Sequence, residues 1–312
     1  MIEMAKMKAV QFENKNGYQL VGILHEPFSG ERKKAGVILL SPGVKMRVAP
    51  HRMYLEITEK LVELGFSVLR FDFYGLGDSQ GEVEDKLLAD LYGRIQTGMY
   101  VDDTVAAMDW MQAECGLDKF IVGGLCGGAI TGLLCGIKDE RVDSLIGIGI
   151  PVTLDSTNMD RMETLSTGYL DRLRKGYVKK IFDPKSWFRL LTFQSDFKVM
   201  FKSLHSSRKP SNKKVEEPDE CEVRGNYNHL FTDGFLSFAQ TSRRMLLVFG
   251  GADRLLWEFE EQFMSRYAEK LKDYNEQYLE FHKIENANHI LSLPEWKAEM
   301  LGCLEGWLKR HY

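Results

Sequence analysis

The chain has 312 residues, 44% of them hydrophobic and 28% charged, with a formal net charge of −4 at neutral pH. That is ordinary globular composition: enough apolar sequence for one large core plus an insertion, and too little basic excess for a nucleic acid partner. The five cysteines, at positions 115, 126, 135, 221 and 303, are odd in number and match neither a zinc spacing nor a disulfide framework, so a reduced, cytoplasmic protein with no metal and no cofactor is expected.

The N-terminal stretch MIEMAKMKAVQFENKNG lacks the apolar core of a signal peptide. The uncharged run from Ile121 to Ile137 falls short of the ~20 residues of a spanning helix. Glycines at 123, 124, 127, 128, 132 and 136 also break it. A buried strand, a tight turn and a buried helix explain it better, and no membrane span is expected.

In chain order, AVQFEN and YQLVGILHEP read as two strands joined through an Asn16-Gly17 turn. From there short apolar runs alternate with amphipathic stretches. Ala35–Gly43 is a buried strand, and Met53–Leu64 has helical spacing and stops at Gly65. Phe66–Phe73 is a strand and Tyr100–Cys115 a helix closed by Gly116. Lys119–Leu125 is a strand, Gly127–Ile137 a helix and Ser144–Val152 another strand. The alternation resumes with strand Arg244–Gly251, helix Glu258–Leu271, strand Gln277–Ile284 and helix Pro294–Lys309. This rhythm predicts an α/β protein with a mostly parallel sheet covered on both faces. Between residues 154 and 240 the rhythm fails and the sequence turns polar, helical and aromatic-rich. Residues 1–153 and 241–312 are therefore expected to form one core, with 154–240 inserted as a helical lid.

Gly124-Leu125-Cys126-Gly127-Gly128 carries a nucleophile turn, G-x-Cys-x-G, between an apolar strand and an apolar helix. Such a turn strains the nucleophile's backbone, needs glycine on both sides for close approach, and sets the sulfur over a helix N-terminus that favours thiolate. Cys135, on the following helix, reads as a buried structural cysteine. Gly77-Asp78-Ser79-Gln80-Gly81 matches the literal G-x-S-x-G pattern. Its strand ends near Phe73, and the acidic, non-helical Glu82, Glu84 and Asp85 follow. Ser79 therefore reads as part of a packing loop.

A thiol nucleophile needs a base and an orienting acid. Asp253 follows the strand ending at Gly251, and His289 lies in the polar loop after the last strand. Their order, nucleophile then acid then base, and their places at strand ends point to a Cys126–His289–Asp253 triad. His25 and His51 come too early in the chain, and His282 sits within a strand. His205 and His229, in the inserted segment, are candidates for substrate contact. For the oxyanion, the Gly127 N–H is one donor and the Val44 N–H, aimed by the Pro42-Gly43 turn, the other.

With these residues in place, the chain resembles the α/β-hydrolase superfamily, in its serine aminopeptidase-like and feruloyl-esterase-like branch. Arg70-Phe71-Asp72-Phe73-Tyr74-Gly75-Leu76-Gly77-Asp78-Ser79 is similar to that branch's signature after the fourth strand, which accounts for Ser79 without a catalytic role. Pro42-Gly43-Val44 stands where the branch carries a His-Gly-aromatic loop. Cys126 replaces the usual serine, as in dienelactone hydrolases and polyhydroxyalkanoate synthases. The resemblance implies the α/β-hydrolase fold and acyl transfer on a small-molecule substrate.

An acyl-cysteine is a thioester, open to water or to a second substrate. Water makes the protein an esterase, thioesterase or lactonase. A second acceptor makes it an acyltransferase or condensing enzyme. The basic stretch from Arg172 to Lys214 suits an anionic carrier such as coenzyme A or an acyl-carrier protein, or forms a solvated face balanced by Glu216–Glu222. The aromatics Tyr169, Tyr177, Trp187, Phe188, Phe193 and Phe197 suit either an acyl pocket or the lid's own core. A non-catalytic binding protein on the same fold is the remaining alternative. Oligomeric state is open.

Overall fold

The computed structural model describes residues 5–28, 30, 32–155 and 226–312. The basic stretch, the six lid aromatics, His205 and Cys221 lie outside the described residues.

Eight strands form one sheet in the order β1-β2-β4-β3-β5-β6-β7-β8. They are β1 (Ala5–Glu13), β2 (Gln19–Pro27), β3 (Ala35–Leu40), β4 (Val68–Phe71), β5 (Lys119–Leu125), β6 (Val142–Ile148), β7 (Arg244–Gly250) and β8 (Leu279–Ile284). β1 and β2 form the antiparallel hairpin that Asn16-Gly17 predicts, and β2 pairs antiparallel with β4. All later pairs are parallel.

Residue alternation decides which face each side chain serves. On β3, Ile38 and Leu40 enter one core while Val37 and Leu39 enter the other. Phe120 and Val122 of β5 divide from Ile121 and Leu125 in the same way. Two cores need two helical layers. α1 (Met53–Glu63) and the C-terminal helix α7 (Pro294–His311) cover one face. The other is covered by α2 (Leu88–Gln96), α3 (Val101–Cys115), α4 (Gly127–Lys138) and α5 (His229–Gln240).

The expected strands and helices are present, with bounds shifted by a few residues. β6 ends at Ile148 instead of running to Val152, because Gly149 turns the chain with φ +53°. The helix expected from Glu258 begins earlier, as α6 (Arg254–Glu258), and passes into a π turn over Phe259–Met264. α2 is a helix that the sequence reading missed. Residues 226–240, placed within the lid by that reading, pack on the core: α5 lies on α4 and buries Phe231, Phe235 and Phe238. No helix among the described residues is long and apolar enough to cross a membrane.

Candidate active site

The turn after β5 holds Cys126 at φ 54° and ψ −112°, a conformation that costs a non-glycine residue about 1–3 kcal/mol. Two constraints impose it. The Cys126 N–H remains in the sheet, donating to Ile148 O (2.9 Å), while the next residue already begins α4. Close packing makes the flanking glycines obligatory: a Cβ on Gly124 would lie 2.5 Å from the Gly128 carbonyl carbon, and one on Gly128 would collide with Leu40 O. Cys126 is partly exposed at the start of this helix, whereas Cys135 is buried within it, its thiol pushed up to about 12 by burial.

The chain brings Asp253 and His289 to this turn. Asp253 follows β7 and divides its two oxygens. Oδ1 accepts the Leu255 N–H (3.1 Å) and caps α6, while Oδ2 meets His289 Nδ1 (2.7 Å). The N-cap role and the partnership with histidine therefore coexist on one side chain. The carboxylate is only 4% exposed and the imidazole 32%. With Nδ1 occupied by Asp253, Nε2 is the nitrogen left for Cys126, which lines the same cavity wall. Burial alone lowers the pKa of His289, but the bonds to Asp253 and Cys126 outweigh it and raise the value from 6.5 to about 10.

Gly149, which the sequence reading did not single out, makes room for this pair. A Cβ there would lie 2.9 Å from His289 Cε1 and Nδ1 and 3.2 Å from Asp253 Oδ2. The signal available in the sequence was a glycine inside the apolar run Ser144–Val152, where glycine in a strand marks a bend or a close approach.

On the other side of Cys126, the loop after β3 turns tightly. Gly43 has φ +60°, and Lys45 N–H returns to Pro42 O (3.2 Å). The loop rests on α4, since a Cβ on Gly127 would lie 2.7 Å from Gly43 Cα. No backbone acceptor among the described residues takes the Val44 N–H. Gly127, as the first residue of α4, has no intrahelical acceptor for its own N–H.

A cavity of about 320 Å³ opens beside these groups, lined by Tyr92, Gln96, Cys126, Pro151, Asp155, Asp253, Arg254, Leu255 and His289. Tyr92 and Gln96 come from α2, the helix missed from sequence, although Leu88, Leu91 and Ile95 carry its spacing. Gln96 holds Asp155 through both amide atoms, accepting its N–H (2.7 Å) and donating to Oδ2 (3.3 Å). Arg254 reaches Glu258 (3.3 Å) and faces Asp155 at 4.0 Å.

Ser79 lies in a structural loop. Its hydroxyl donates to Asp72 O (2.6 Å) and accepts the Val21 N–H (2.8 Å), tying the loop to β2. His25 is buried against Arg70 (2.9 Å) and lowered to about 4 by burial and by that guanidinium. His282 pairs with Glu299 (2.9 Å), and exposed His229 packs edge-on against Tyr227. Among the described residues, no cluster of His, Cys, Asp and Glu suits a metal ion.

The α/β hydrolase fold family matches residues 42–182 of the chain. The Bacillus subtilis protein YtaP, whose name assigns it provisionally to the hydrolases, is 28% identical over 112 residues; the match spans 33% of this chain and only 38% of that relative's length. Solved structures are similar along nearly the whole chain. The Pyrococcus furiosus esterase Pf2001 superposes with a TM-score of 0.59 at 17% identity, covering 98% of this chain and 91% of that one. Est1E of Butyrivibrio proteoclasticus, solved with ferulic acid bound, gives a TM-score of 0.54 at 14% identity, covering 97% and 98%. An α/β serine hydrolase of Xanthomonas campestris described as having no lid gives 0.54 at 16%, covering 98% and 94%. From the sheet order, the turn at Cys126 and these likenesses together, the chain has the α/β-hydrolase fold.

Proposed function

We propose that the protein is an acyl-transfer enzyme that forms a covalent acyl-cysteine at Cys126 and hydrolyses an ester or thioester. The observation that carries this reading is the convergence of Cys126, at its strained turn, with the His289–Asp253 pair on the wall of one cavity. The thiol proton passes to His289, and the buried Asp253 carboxylate stabilises the resulting imidazolium. The Asp253 carboxylate at 2.7 Å from Nδ1 favours the protonated ring and supports this direction of transfer. The thiolate attacks the acyl carbon, and its electron pair forms the S–C bond. The carbonyl oxygen takes the negative charge between the N–H groups of Val44 and Gly127. Collapse expels the alcohol or thiol, which takes the proton from His289. Water, with His289 as base, then releases the acid and restores the thiol. The esterase name of the Pyrococcus neighbour agrees with an ester substrate, whereas the Xanthomonas neighbour is a serine hydrolase.

The test is incubation with p-nitrophenyl acetate, rapid acid quench and peptide mapping. Acetyl on Cys126 and loss of turnover in Cys126→Ala are expected. Acetyl on Ser79, or undiminished turnover in Cys126→Ala, would overturn the reading. Adding a thiol or amine acceptor in the same assay separates hydrolysis from transfer.

A further inference from the structure

Tyr54, in the first turn of α1, is fully buried, and the reaction outlined above gives it no part. Its hydroxyl donates to Leu40 O (2.7 Å) and accepts the Leu125 N–H (2.7 Å). Both partners are the last residues of neighbouring strands. β3 and β5 stay in register up to Leu40 opposite Gly124, and there the ladder ends. β3 leads into Ser41-Pro42-Gly43-Val44, and β5 into Cys126-Gly127. The Cys126 N–H is taken by Ile148 O on β6, so the preceding Leu125 N–H points to the β3 side. Without the phenol it would be a buried donor lacking a partner. One oxygen thus bridges two strand ends at the place where they part.

The bridge lies at the base of both proposed oxyanion donors. Leu40 O, held by Tyr54, is the atom that a Cβ on Gly128 would strike. Gly43, three residues further along the loop, packs against Gly127. Loop stem, loop tip and helix start form one stack. Burial raises the pKa of the Tyr54 phenol above 10.0, so it remains a donor across the neutral range.

We propose that Tyr54 is a positioning residue whose hydroxyl sets the separation between the Val44 and Gly127 N–H groups. It acts through Leu40 and Leu125. The inference rests on the acyl-cysteine reading, and its test distinguishes the failure of each.

Acylation develops an oxyanion, whereas alkylation of the thiolate by iodoacetamide does not. In the full chain, Tyr54→Phe is expected to slow acylation by p-nitrophenyl acetate about 10- to 100-fold, on kcat and not KM, and to leave alkylation of Cys126 within about twofold. Thr104→Val is the control. It removes another buried hydroxyl, bonded to Tyr100 O (3.0 Å) on α3, and should cost stability while sparing acylation. Two further replacements keep the test open if Tyr54→Phe does not fold. Substituting 4-fluorophenylalanine at this position fills the hydroxyl's place without donating and should reproduce the loss. Substituting 4-aminophenylalanine keeps a donor and an acceptor and should restore acylation. Acylation unchanged in Tyr54→Phe, acylation and alkylation falling together, or an equal loss in Thr104→Val would each overturn the proposal. A wild-type Cys126 that is alkylated but never acylated overturns the acyl-cysteine reading first, and this proposal with it.

Discussion

Replacing Asp253 separates the two tasks of its two oxygens. In Asp253→Asn an oxygen can still cap α6 at Leu255 N–H, now 3.1 Å from Oδ1, but an amide donor can face His289 Nδ1 in place of Oδ2 at 2.7 Å. The histidine must then carry its proton on Nε2, toward Cys126, and cannot receive the thiol proton. In serine triads this tautomer fault lowers kcat about 10⁴-fold; a thiol ionises more readily than a hydroxyl, so a loss of about 10²- to 10⁴-fold is expected here. Asp253→Ala should lose similar activity and, in addition, the cap, worth about 1 kcal/mol. For a folded unit of this size that is about 2–4 °C in melting temperature. Steady-state kinetics on p-nitrophenyl acetate and calorimetry of the three proteins at one pH provide the comparison. Asp253→Asn retaining activity within about threefold would refute the orienting role. Equal stability of the Ala and Asn variants would refute the capping role.

Three other outcomes follow from the site's geometry. Gly149→Ala places a methyl group against the His289 ring and forces φ +53° on a residue with a Cβ, so it should lower kcat/KM at least about 10-fold and stability by about 1–2 kcal/mol; full activity would show that the ring has room to move. Ser79→Ala should cost about 1–3 kcal/mol by leaving Val21 N–H and Asp72 O without this partner, yet keep turnover; loss of acyl-enzyme in this variant would return Ser79 to candidacy. Because the pKa of His289 rises from 6.5 to about 10 on folding, the stability from its charge is complete below 6.5 and fades as pH climbs toward 10. Urea midpoints of wild type and His289→Gln should therefore converge between those limits, and a constant gap would contradict the assignment.

Cys126, Asp253 and His289 were legible because each sits where a local pattern changes: strand to glycine turn to helix, and strand to polar loop. Short continuous apolar runs marked the strands, as burial on both faces requires, and chain order supplied the proposed roles. Ser79 shows the limit of a motif alone. Its pentapeptide matches, but its hydroxyl is committed to Val21 and Asp72. α2 escaped notice because its apolar spacing follows an acidic loop, and with it went the cavity residues Tyr92 and Gln96.

The sequence by itself therefore determined the strand–helix alternation, the tight turn at Cys126 and the placing of Asp253 and His289 after strand ends, since those depend on local spacing. Tertiary structure alone decided what depends on atoms far apart in the chain. It set the oxygen of Asp253 that faces His289, the space left by Gly149, and the bridge by which Tyr54 joins Leu40 to Leu125. Each is a contact of a few ångströms between separate elements, and no residue spacing encodes it until the sheet has brought those elements together.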